Sequence, residues 1–336
     1  MPDDDALAAA LRGDEAGFRG LVEPHQAELH AHCYRMLGSV HDAEDALQDT
    51  LLRVWRGLPR FEGGRRLRPW LYKIATYVCL DAIARRPRRV LPMDERGPTD
   101  PANDADEEPV VSLWLEPYPD ERLGLEGGYA SPEARYEQRE AVELAFIAAL
   151  QHLPGRQRAV LVLREVLAFS AREVADLLET TVPSVNSALQ RARKTVEERL
   201  PDQSQQASLR SLGDEGIRDL VERFIEAFEA GDTGAILSLL AEDVTFAMPP
   251  YGNWCRGRDA VAKSWLMPGG PPPRLRYAAT RANGQIALGT YLLDTTVGRF
   301  HPVALDVITV RDSLITEVIA FRTPDVFASF GLPDEL

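Results

Sequence analysis

The 336-residue sequence predicts a multidomain protein in which two all-α helical domains are followed by an α+β domain. Three observations indicate this fold class. Apolar residues recur at helical spacing over residues 1–91 and again over 133–200. Residues 92–132 contain seven prolines and many acidic residues, a composition typical of a linker. Beyond Gly231 the apolar period changes to two, which predicts strands.

Composition excludes several classes of protein. With 45% hydrophobic and 27% charged residues the chain has a globular composition, and its uncharged runs fall short of the ~18 residues that a membrane-spanning helix needs. We therefore expect no membrane partner. The acidic N-terminus lacks the pattern of a signal peptide, which predicts a cytoplasmic location. The three cysteines, Cys33, Cys79 and Cys255, are far apart and argue against a disulfide framework.

Charge is distributed unevenly behind the net value of -14. Residues 50–92 carry eleven basic and two acidic side chains, whereas residues 94–140 carry four basic and fourteen acidic ones. Only the first of these blocks could bind a polyanion such as nucleic acid.

The first domain contains an amphipathic helix over residues 42–55. At 100° per residue, one side is small and aliphatic, and the other is acidic with a leucine at its centre. Two interpretations of the acidic side remain open: a solvated helix face, or an interface for a basic helix of a partner. Its residues are Asp42, Glu44, Asp45, Gln48, Asp49 and Leu52.

Basic residues interleaved with aromatic ones follow in residues 65–86. This combination suits single-stranded nucleic acid, because cations track the phosphates while rings stack on unpaired bases. The alternative is that Trp70 and Tyr77 belong to the core of a small helical domain. The candidate nucleic-acid contacts are Arg65, Arg66, Arg68, Trp70, Lys73, Thr76, Tyr77, Arg85 and Arg86.

The second helical domain has the pattern of a helix-turn-helix. Residues 169–178 and 184–199 are predicted helices joined by a short turn, with Pro183 at the start of the second helix. That helix has an apolar stripe and an opposite face that is polar and basic, which suits a major groove. A plain helical hairpin is the alternative. The candidate base and phosphate contacts are Arg172, Ser184, Asn186, Ser187, Gln190, Arg191, Arg193 and Lys194.

The last domain is predicted to follow a short polar joint at residues 202–206. A helix with one apolar face ends at Gly231. Strands are predicted at 286–293, 300–310 and 314–321. A hairpin turn at residues 311–313 joins the last two, which predicts an α+β domain with an antiparallel sheet.

Taken in order, these segments resemble an extracytoplasmic-function RNA polymerase sigma factor with a C-terminal SnoaL-like domain. The resemblance covers nearly the whole chain and is specific because the motifs occur as an ordered set. One of them, the aromatic segment 114–120 of the linker, is either a docking segment or locally packed. The motifs lie at residues 41–49, 70–75, 80–89, 114–120, 153–158, 184–193, 248–251, 254–259, 282–284 and 330–333.

The resemblance implies a role for each part of the chain. Residues 1–91 would be the sigma region-2 domain, which binds the clamp helices of the largest subunit of core RNA polymerase and melts the -10 element of promoter DNA. Residues 133–200 would be the region-4 domain, which meets the flap of the polymerase and reads the -35 element. Residues 92–132 would be the acidic, proline-rich linker, and residues 208–336 a SnoaL-like domain that regulates activity in cis.

The SnoaL-like resemblance, to the cone-shaped fold of nuclear-transport-factor-two-like proteins, also implies an apolar pocket that could hold an unidentified small ligand. His301 and Asp306 are the one obvious acid/base pair, and their odd spacing points them to opposite faces of a strand unless a bulge intervenes. This argues against catalysis, so we expect no enzyme activity and no cofactor. We also expect no metal site, because His30 and His32, the closest pair of histidines, lie 200° apart on a helix. The candidate lining residues are Met248, Tyr251, Trp254, Trp265, His301, Asp306 and Phe321.

Two functions of different classes remain. The first is a non-enzymatic promoter-specificity subunit whose C-terminal domain modulates it. The second is a bifunctional DNA-binding protein with a cyclase- or isomerase-like C-terminal domain. Only the first requires residues 1–91 to bind core polymerase and single-stranded promoter DNA, and the acidic helix side and the arginine-aromatic stretch favour it. An ordinary operator-binding repressor would explain the helix-turn-helix alone.

Overall fold

The computed structural model describes residues 2–61, 67–100, 114–123, 139–265 and 273–336. The chain divides into two compact units, neither of which is continuous in sequence. The first contains Met1–Arg89, Arg122–Ala141 and Ala145–Leu200, and the second contains Val90–Glu121, Val142–Leu144 and Pro201–Leu336. Much of the predicted linker therefore belongs to the same unit as the C-terminal residues.

The regular structure described in the first unit is helical, and the second unit combines helices with strands. The α-helices are α1 (Pro2–Leu11), α2 (Glu15–Leu37), α3 (Val40–Gly57), α4 (Leu67–Ile83), α5 (Pro92–Glu95), α6 (Leu144–Gln151), α7 (Gly155–Leu161), α8 (Ala171–Leu177), α9 (Val182–Glu197), α10 (Gln205–Ala230), α11 (Thr233–Leu239) and α12 (Arg258–Trp265). A π-helical turn at Val162–Val166 and short 3-10 helices at Leu58–Arg60, Asp120–Leu123 and Pro324–Phe330 are also present.

Local signals separate α2 from α3. Gly38 has a φ of 71° and ends α2, with its amide donating to the backbone oxygen of Tyr34. The next residue, Ser39, caps α3, because its hydroxyl accepts a hydrogen bond of 3.0 Å from the amide of Asp42. The buried side of α3 agrees with the predicted helix orientation and contains Ala43, Ala46, Leu47 and Val54.

Helices α8 and α9 form the predicted helix-turn-helix. The Ser170 hydroxyl accepts from the amide of Glu173, and the Glu173 carboxylate accepts from the amide of Ser170, which is a capping box at the start of α8. The Thr181 hydroxyl accepts from the amide of Ser184 and caps α9, and the turn passes through Glu179 with a φ of 50°. The buried stripe of α9 is the predicted one and contains Val185, Leu189, Ala192 and Val196.

Arg158 of α7 fixes the end of α2 inside the first unit. Its side chain is 3% exposed and donates to the backbone oxygen of Met36 and to Gln151 Oε1, the latter at 2.6 Å. It also donates to the backbone oxygens of Gln151 and Leu153 at 3.1 and 3.2 Å. Burial lowers the pKa of Arg158 to about 10, so the group is still charged at neutral pH and is compensated by these oxygens.

We expect Arg158→Met to lower the free energy of unfolding by about 3 kcal/mol, because several buried oxygens lose their donor. Urea unfolding of the full chain measures this change. Arg156→Met is the matched control, since Arg156 is an exposed arginine of the same helix, and it should change stability by less than about 0.5 kcal/mol. Equal stability of the two variants would show that Arg158 does not anchor α2.

The second unit is built on a sheet of β1 (Leu240–Ala247), β2 (Trp254–Arg256), β3 (Leu275–Ala282), β4 (Gln285–Asp294), β5 (Arg299–Arg311) and β6 (Leu314–Phe321). The order of these described strands is β2-β1-β6-β5-β4-β3. The three predicted strands are confirmed as β4, β5 and β6. Their predicted turn contains Asp312 and Ser313 with φ values of 52° and 65°. These three strands pair antiparallel, as expected, whereas β1, which was not predicted, pairs with β6 in parallel.

Helix α10 packs its apolar side against this sheet. Leu220, Phe224 and Ala227 of the helix belong to one buried cluster with Leu288 and Ile308 of the strands. The helix is kinked at residue 213, and Gly231, with a φ of 64°, ends it as predicted. In the described part of the chain, none of the helices has the length and apolar character needed to cross a bilayer.

The polar joint predicted before the last domain is wrong at its end, where two buried glutamines begin α10. Gln205 exchanges side-chain hydrogen bonds of 2.6 and 2.9 Å with the backbone of Val310. Gln206 Nε2 donates to the backbone oxygen of Gly284 at 2.7 Å. The Glu143 carboxylate accepts from the backbone amides of Gln205 and Gln206. Burial of these polar groups is tolerated because each has a hydrogen-bond partner. The polar composition of the segment does not indicate those partners.

Candidate functional site

The acidic side of α3 presents most of its predicted residues to solvent. Asp45, Gln48 and Asp49 are exposed, and the Leu52 side chain among them is 53% exposed. A leucine surrounded by polar side chains on one helix face suits a partner that offers an apolar contact with a basic rim.

The other two acidic residues of this side are ion-paired within the first unit. Arg89 Nη2 donates to Asp42 Oδ2 at 2.7 Å, and Arg86 donates to the same carboxylate. Arg122 Nη1 donates to Glu44 Oε2 at 2.8 Å. Arg86, a predicted nucleic-acid contact, therefore neutralises Asp42, a predicted polymerase contact, in this structure.

Two of the predicted nucleic-acid cations on α4 are also paired with carboxylates. Arg68 Nε donates to Glu28 Oε2 at 3.0 Å, and its guanidinium lies 5.0 Å from the centre of the Tyr72 ring. Lys73 Nζ donates at 2.8 Å to Oε1 of Glu179, in the turn of the helix-turn-helix, and this hydrogen bond lowers the pKa of Glu179. Binding of either cation to a phosphate therefore requires an exchange of partners.

Two other predicted contacts on α4 belong to the interior. Thr76 is fully buried, and a hydrogen bond of 3.0 Å joins its hydroxyl to His32 Nε2. Its assignment to the nucleic-acid surface is therefore wrong for this structure. Trp70 packs on Phe61 with 4.7 Å between ring centres, which favours the core interpretation of this tryptophan.

The remaining predicted contacts near α4 differ in accessibility. Tyr77 is half-buried, whereas Arg85, which follows the helix, is exposed. Arg65 and Arg66 lie outside the residues that the structure describes, so their role stays a prediction.

Helix α9 presents the predicted DNA-binding face to solvent. Asn186 and Gln190 are four residues apart and place two amide groups on the same side of the helix. Arg193 donates to Glu165 at 2.8 Å in an exposed pair, which is worth about 0–1 kcal/mol and can exchange for a phosphate. The exposed residues of the predicted set are Arg172, Ser184, Asn186, Ser187, Gln190, Arg191, Arg193 and Lys194.

In the second unit, Asn283 binds two other segments of the chain from the turn between β3 and β4. Its backbone amide donates to the backbone oxygen of Tyr118 at 2.8 Å, and its Oδ1 accepts from the amide of Tyr118 at 2.8 Å. Its Nδ2 donates to the backbone oxygen of Val142 at 2.7 Å. Asn283 has a φ of 56°, a conformation that asparagine adopts more readily than most residues. We call Asn283 with these two partners the Asn283 clamp.

The residues after Asn283 add two further contacts. The amide of Gly284 donates to Asp120 Oδ1 at 2.7 Å, and Gln285 Oε1 accepts from the amide of Leu144 at 2.9 Å. In the aromatic linker segment, Leu115 is 1% exposed. Residues 114–120 therefore dock within the second unit, which decides between the two interpretations of this segment.

A cavity of about 240 Å³ lies between α10 and the sheet of the second unit. Met248, Trp265 and Asp306 line it, in agreement with the sequence analysis. The described residues contain no group of three or more His, Cys, Asp or Glu side chains placed to hold a metal ion. The other predicted lining residues are wrong, because these side chains lie elsewhere: Tyr251, Trp254, His301 and Phe321.

Strand parity and other contacts account for three of these errors. Phe321 is the strand neighbour of a lining residue, so its side chain points to the other face of β6. Trp254 contacts the linker, and its Nε1 donates to the backbone oxygen of Arg96 at 2.8 Å. The Tyr251 ring lies 5.8 Å from the guanidinium of Arg322.

The cavity holds only one member of the predicted acid/base pair. The ladder of β4 and β5 shifts register between Thr290 and Tyr291. The bulge that could place His301 and Asp306 on one face of β5 is therefore present. His301 pairs with Leu292 near the end of β4 and does not reach the cavity lining. The Asp306 carboxylate accepts from Thr290 Oγ1 at 2.7 Å, and burial raises the pKa of Asp306 to about 7.

Comparison with known proteins assigns the chain to a family. Sigma-70 region 2 matches residues 21–89, Sigma-70 region 4 matches residues 143–196, and the SnoaL-like domain matches residues 221–318. The chain is 41% identical over 329 residues to the ECF RNA polymerase sigma factor SigG of Mycobacterium tuberculosis, covering 97% of this chain and 85% of SigG. The chain belongs to the extracytoplasmic-function sigma factors. This confirms the prediction of a sigma factor over that of a DNA-binding enzyme.

A second relative of this sigma factor shares its architecture. SigJ of Mycobacterium tuberculosis is 27% identical over 323 residues, covering 93% of this chain and 94% of SigJ. The crystal structure of SigJ matches with a TM-score of 0.56 at 24% identity, covering 91% of this chain and 97% of SigJ. The likeness shows the fold, and the predicted order of helical domains before an α+β domain is confirmed.

Sequence analysis of this sigma factor missed the roles of two residues. Asn283 and the glycine after it form a recognisable turn signal between strands, but that signal does not indicate the partners of the asparagine side chain. Glu179 lies in a predicted turn, and no local pattern indicates that it holds Lys73.

The buried carboxyl group of Asp306 makes the stability of this sigma factor depend on pH. Its pKa is about 7 when folded and about 3.9 when unfolded, so unfolding releases a proton between these pH values and stability falls as pH rises through them. Asp306→Asn removes this loss and keeps an acceptor for Thr290. We expect the variant to gain about 2–4 kcal/mol relative to the unsubstituted chain between pH 4 and pH 8 in urea unfolding. A difference independent of pH would contradict this.

Proposed function

We propose that this sigma factor binds core RNA polymerase, recognises the -35 and -10 promoter elements and promotes promoter melting at transcription initiation, with its C-terminal domain modulating activity in cis. The observation that supports this most directly is the exposed polar and basic face of α9, beside a buried stripe that fixes its orientation. Family membership supports the general activity of the chain. The exposed side chains of α9 support the choice of residues that contact DNA.

The polymerase is proposed to bind the acidic side of α3 through the clamp helices of its largest subunit. Asp45 and Asp49 would attract the basic groups of that partner and set the orientation of docking. Leu52 would lose its contact with water at the centre of the interface. The region-4 domain would meet the flap.

The -35 element is proposed to be read in the major groove by α9. Asn186 and Gln190 carry amide groups that can pair with both polar atoms of an adenine edge, whereas Arg191, Arg193 and Lys194 suit phosphates. The amides would therefore provide sequence preference, and the cations would provide affinity that depends on salt.

The -10 element is proposed to bind along α4, where Lys73 and Arg85 would contact phosphates and Tyr77 would stack on an unpaired base. Taking a base out of the duplex costs a few kcal/mol, which stacking and phosphate contacts must offset. Lys73 must first leave Glu179. This exchange is cheap, because the Glu179 carboxylate is open to solvent, which screens its attraction for Lys73.

Modulation in cis is proposed to act through the linker. The Asn283 clamp holds Tyr118 of the linker and Val142 of the segment that leads into α6. A C-terminal domain that is hydrogen-bonded to both segments restricts the conformations of the chain between the two DNA-binding regions. When these hydrogen bonds break, that part of the chain can adopt more conformations.

The assignment of α9 is tested by Gln190→Ala in the polymerase holoenzyme, bound to DNA with randomised -35 elements. We expect the base preference at one position to weaken by about 5- to 150-fold, equivalent to about 1–3 kcal/mol, because a base-edge contact is lost. Lys194→Ala is the control and should weaken binding to all sequences alike with a smaller salt dependence. An unchanged base preference in Gln190→Ala would remove Gln190 from the reading surface.

A further inference from the structure

An arginine of the linker occupies part of the acidic side of α3. Arg122 lies in the 3-10 helix at Asp120–Leu123, and its Nη1 donates to Glu44 Oε2 at 2.8 Å. The same nitrogen lies 3.3 Å from Nε2 of His30, a side chain that is 4% exposed. Burial and the charge of Arg122 lower the pKa of His30 to about 4, so the ring is neutral at pH 7 and can accept this hydrogen bond. Two acceptors therefore position the Arg122 guanidinium against α3.

This guanidinium lies where a basic partner of α3 would approach. Glu44 is adjacent to Asp45 in sequence and one helical turn from Gln48, and all three belong to the acidic side. The Arg122 side chain is 38% exposed, so a partner can reach its charge. A cation of the partner that approached Glu44 would meet the cation of Arg122, and like charges brought together in an interface cost free energy. Polymerase must therefore displace Arg122 before it can use Glu44.

The chain just before Arg122 is bound within the second unit. The Asp120 carboxylate accepts from the amide of Gly284 at 2.7 Å. The Asn283 clamp, beside it, holds Tyr118. One residue separates Asp120 from Arg122, so breaking these hydrogen bonds also frees the segment that carries Arg122.

We propose that Arg122 is an internal competitor of core RNA polymerase, which occupies Glu44 while the linker is docked and leaves Glu44 when polymerase binds α3. This inference rests on the proposed polymerase interface and adds the direction of the modulation in cis. A C-terminal domain that keeps the linker docked lowers the affinity for polymerase, and release of the linker raises it. Because Arg122 and Glu44 are both partly exposed, solvent screens the pair and limits the competition to about threefold to fivefold.

The test is the affinity of core RNA polymerase for full-length Arg122→Gln, measured by fluorescence anisotropy. We expect the affinity to rise about threefold to fivefold at low salt, because the competing cation is removed from Glu44. The gain should decrease as the salt concentration rises, since salt screens exposed charges. Arg122→Lys keeps a cation that can pair with Glu44 and should show little of the gain.

Asn283→Ala tests whether the docked linker holds Arg122 in place. It should raise the affinity for polymerase by a similar factor. The double variant of Asn283→Ala and Arg122→Gln should bind no more tightly than Arg122→Gln alone, because both substitutions remove the same competition. Independent gains that add in the double variant would overturn the role of the linker.

Arg12→Gln is the matched control, because Arg12 is an exposed arginine in the turn after α1 and the change of charge is the same. It should leave the affinity unchanged at the same salt concentration. The proposal is overturned if Arg122→Gln gains no affinity, or if Arg12→Gln gains as much, while Asp45→Arg still loses affinity. If Asp45→Arg also keeps full affinity, the proposed polymerase interface is wrong and the competition fails with it.

Discussion

Asp45→Arg is expected to weaken the binding of core RNA polymerase by about 100-fold while leaving the stability of the chain unchanged. Asp45 is exposed at the middle of the acidic side of α3, beside Leu52. Reversing its charge places a cation against the basic partner that we propose, and like charges brought together in an interface cost several kcal/mol. The side chain has no place in the buried stripe of the helix, so the fold does not depend on it.

Co-elution or fluorescence anisotropy with core polymerase measures this affinity. Glu23→Arg is the matched control, because it makes the same charge change at an exposed position of α2, outside the proposed interface. The control should bind within about twofold of the unsubstituted chain. Equal losses in the two variants would show that net charge, and not the acidic side of α3, determines binding.

Asn283→Ala is expected to release the linker and to lower the free energy of unfolding of the second unit by about 2–4 kcal/mol. The substitution removes the side-chain partners of Tyr118 and Val142, and both backbone groups are buried. It also places alanine at a φ of 56°, which alanine adopts less readily than asparagine. Amide hydrogen exchange of residues 114–120 should become faster by at least about tenfold, since the segment loses its docking contacts.

Asp312→Ala separates these causes. Asp312 also has a positive φ, of 52°, in a turn between strands of the same sheet, but it is exposed and lies outside the clamp. This variant should show the backbone cost alone, with exchange of residues 114–120 unchanged. If the two variants had the same effect on that exchange, the clamp would not be what holds the linker.

The helices could be predicted because their signals are local. Ser170 and Glu173 lie three residues apart and start α8 by themselves, and Gly38 and Gly231 end their helices through their own backbone conformation. The alternation of apolar and polar residues that predicts β4, β5 and β6 is also a local signal. Exposed members of the predicted site on α9 could be found for the same reason, since one buried stripe determines which side chains face water.

The features that sequence analysis got wrong or missed depend on residues far apart in the chain. Asn283 meets Tyr118 and Val142 across 165 and 141 residues, and Thr76 is hidden by His32 across 44 residues. The parallel pairing of β1 with β6 is set by the whole unit, and the errors in the cavity lining followed from contacts and a register shift that no local pattern shows.

The central claim is that this chain directs core polymerase to particular promoters. The most direct measurement is transcription in vitro by the cognate core polymerase from a library of templates with randomised -35 and -10 elements, followed by sequencing of the transcripts. We predict that adding the full-length chain enriches one pair of elements at a fixed spacing, and that Asp45→Arg abolishes the enrichment. Transcripts with no enrichment above that of core polymerase alone would contradict the account.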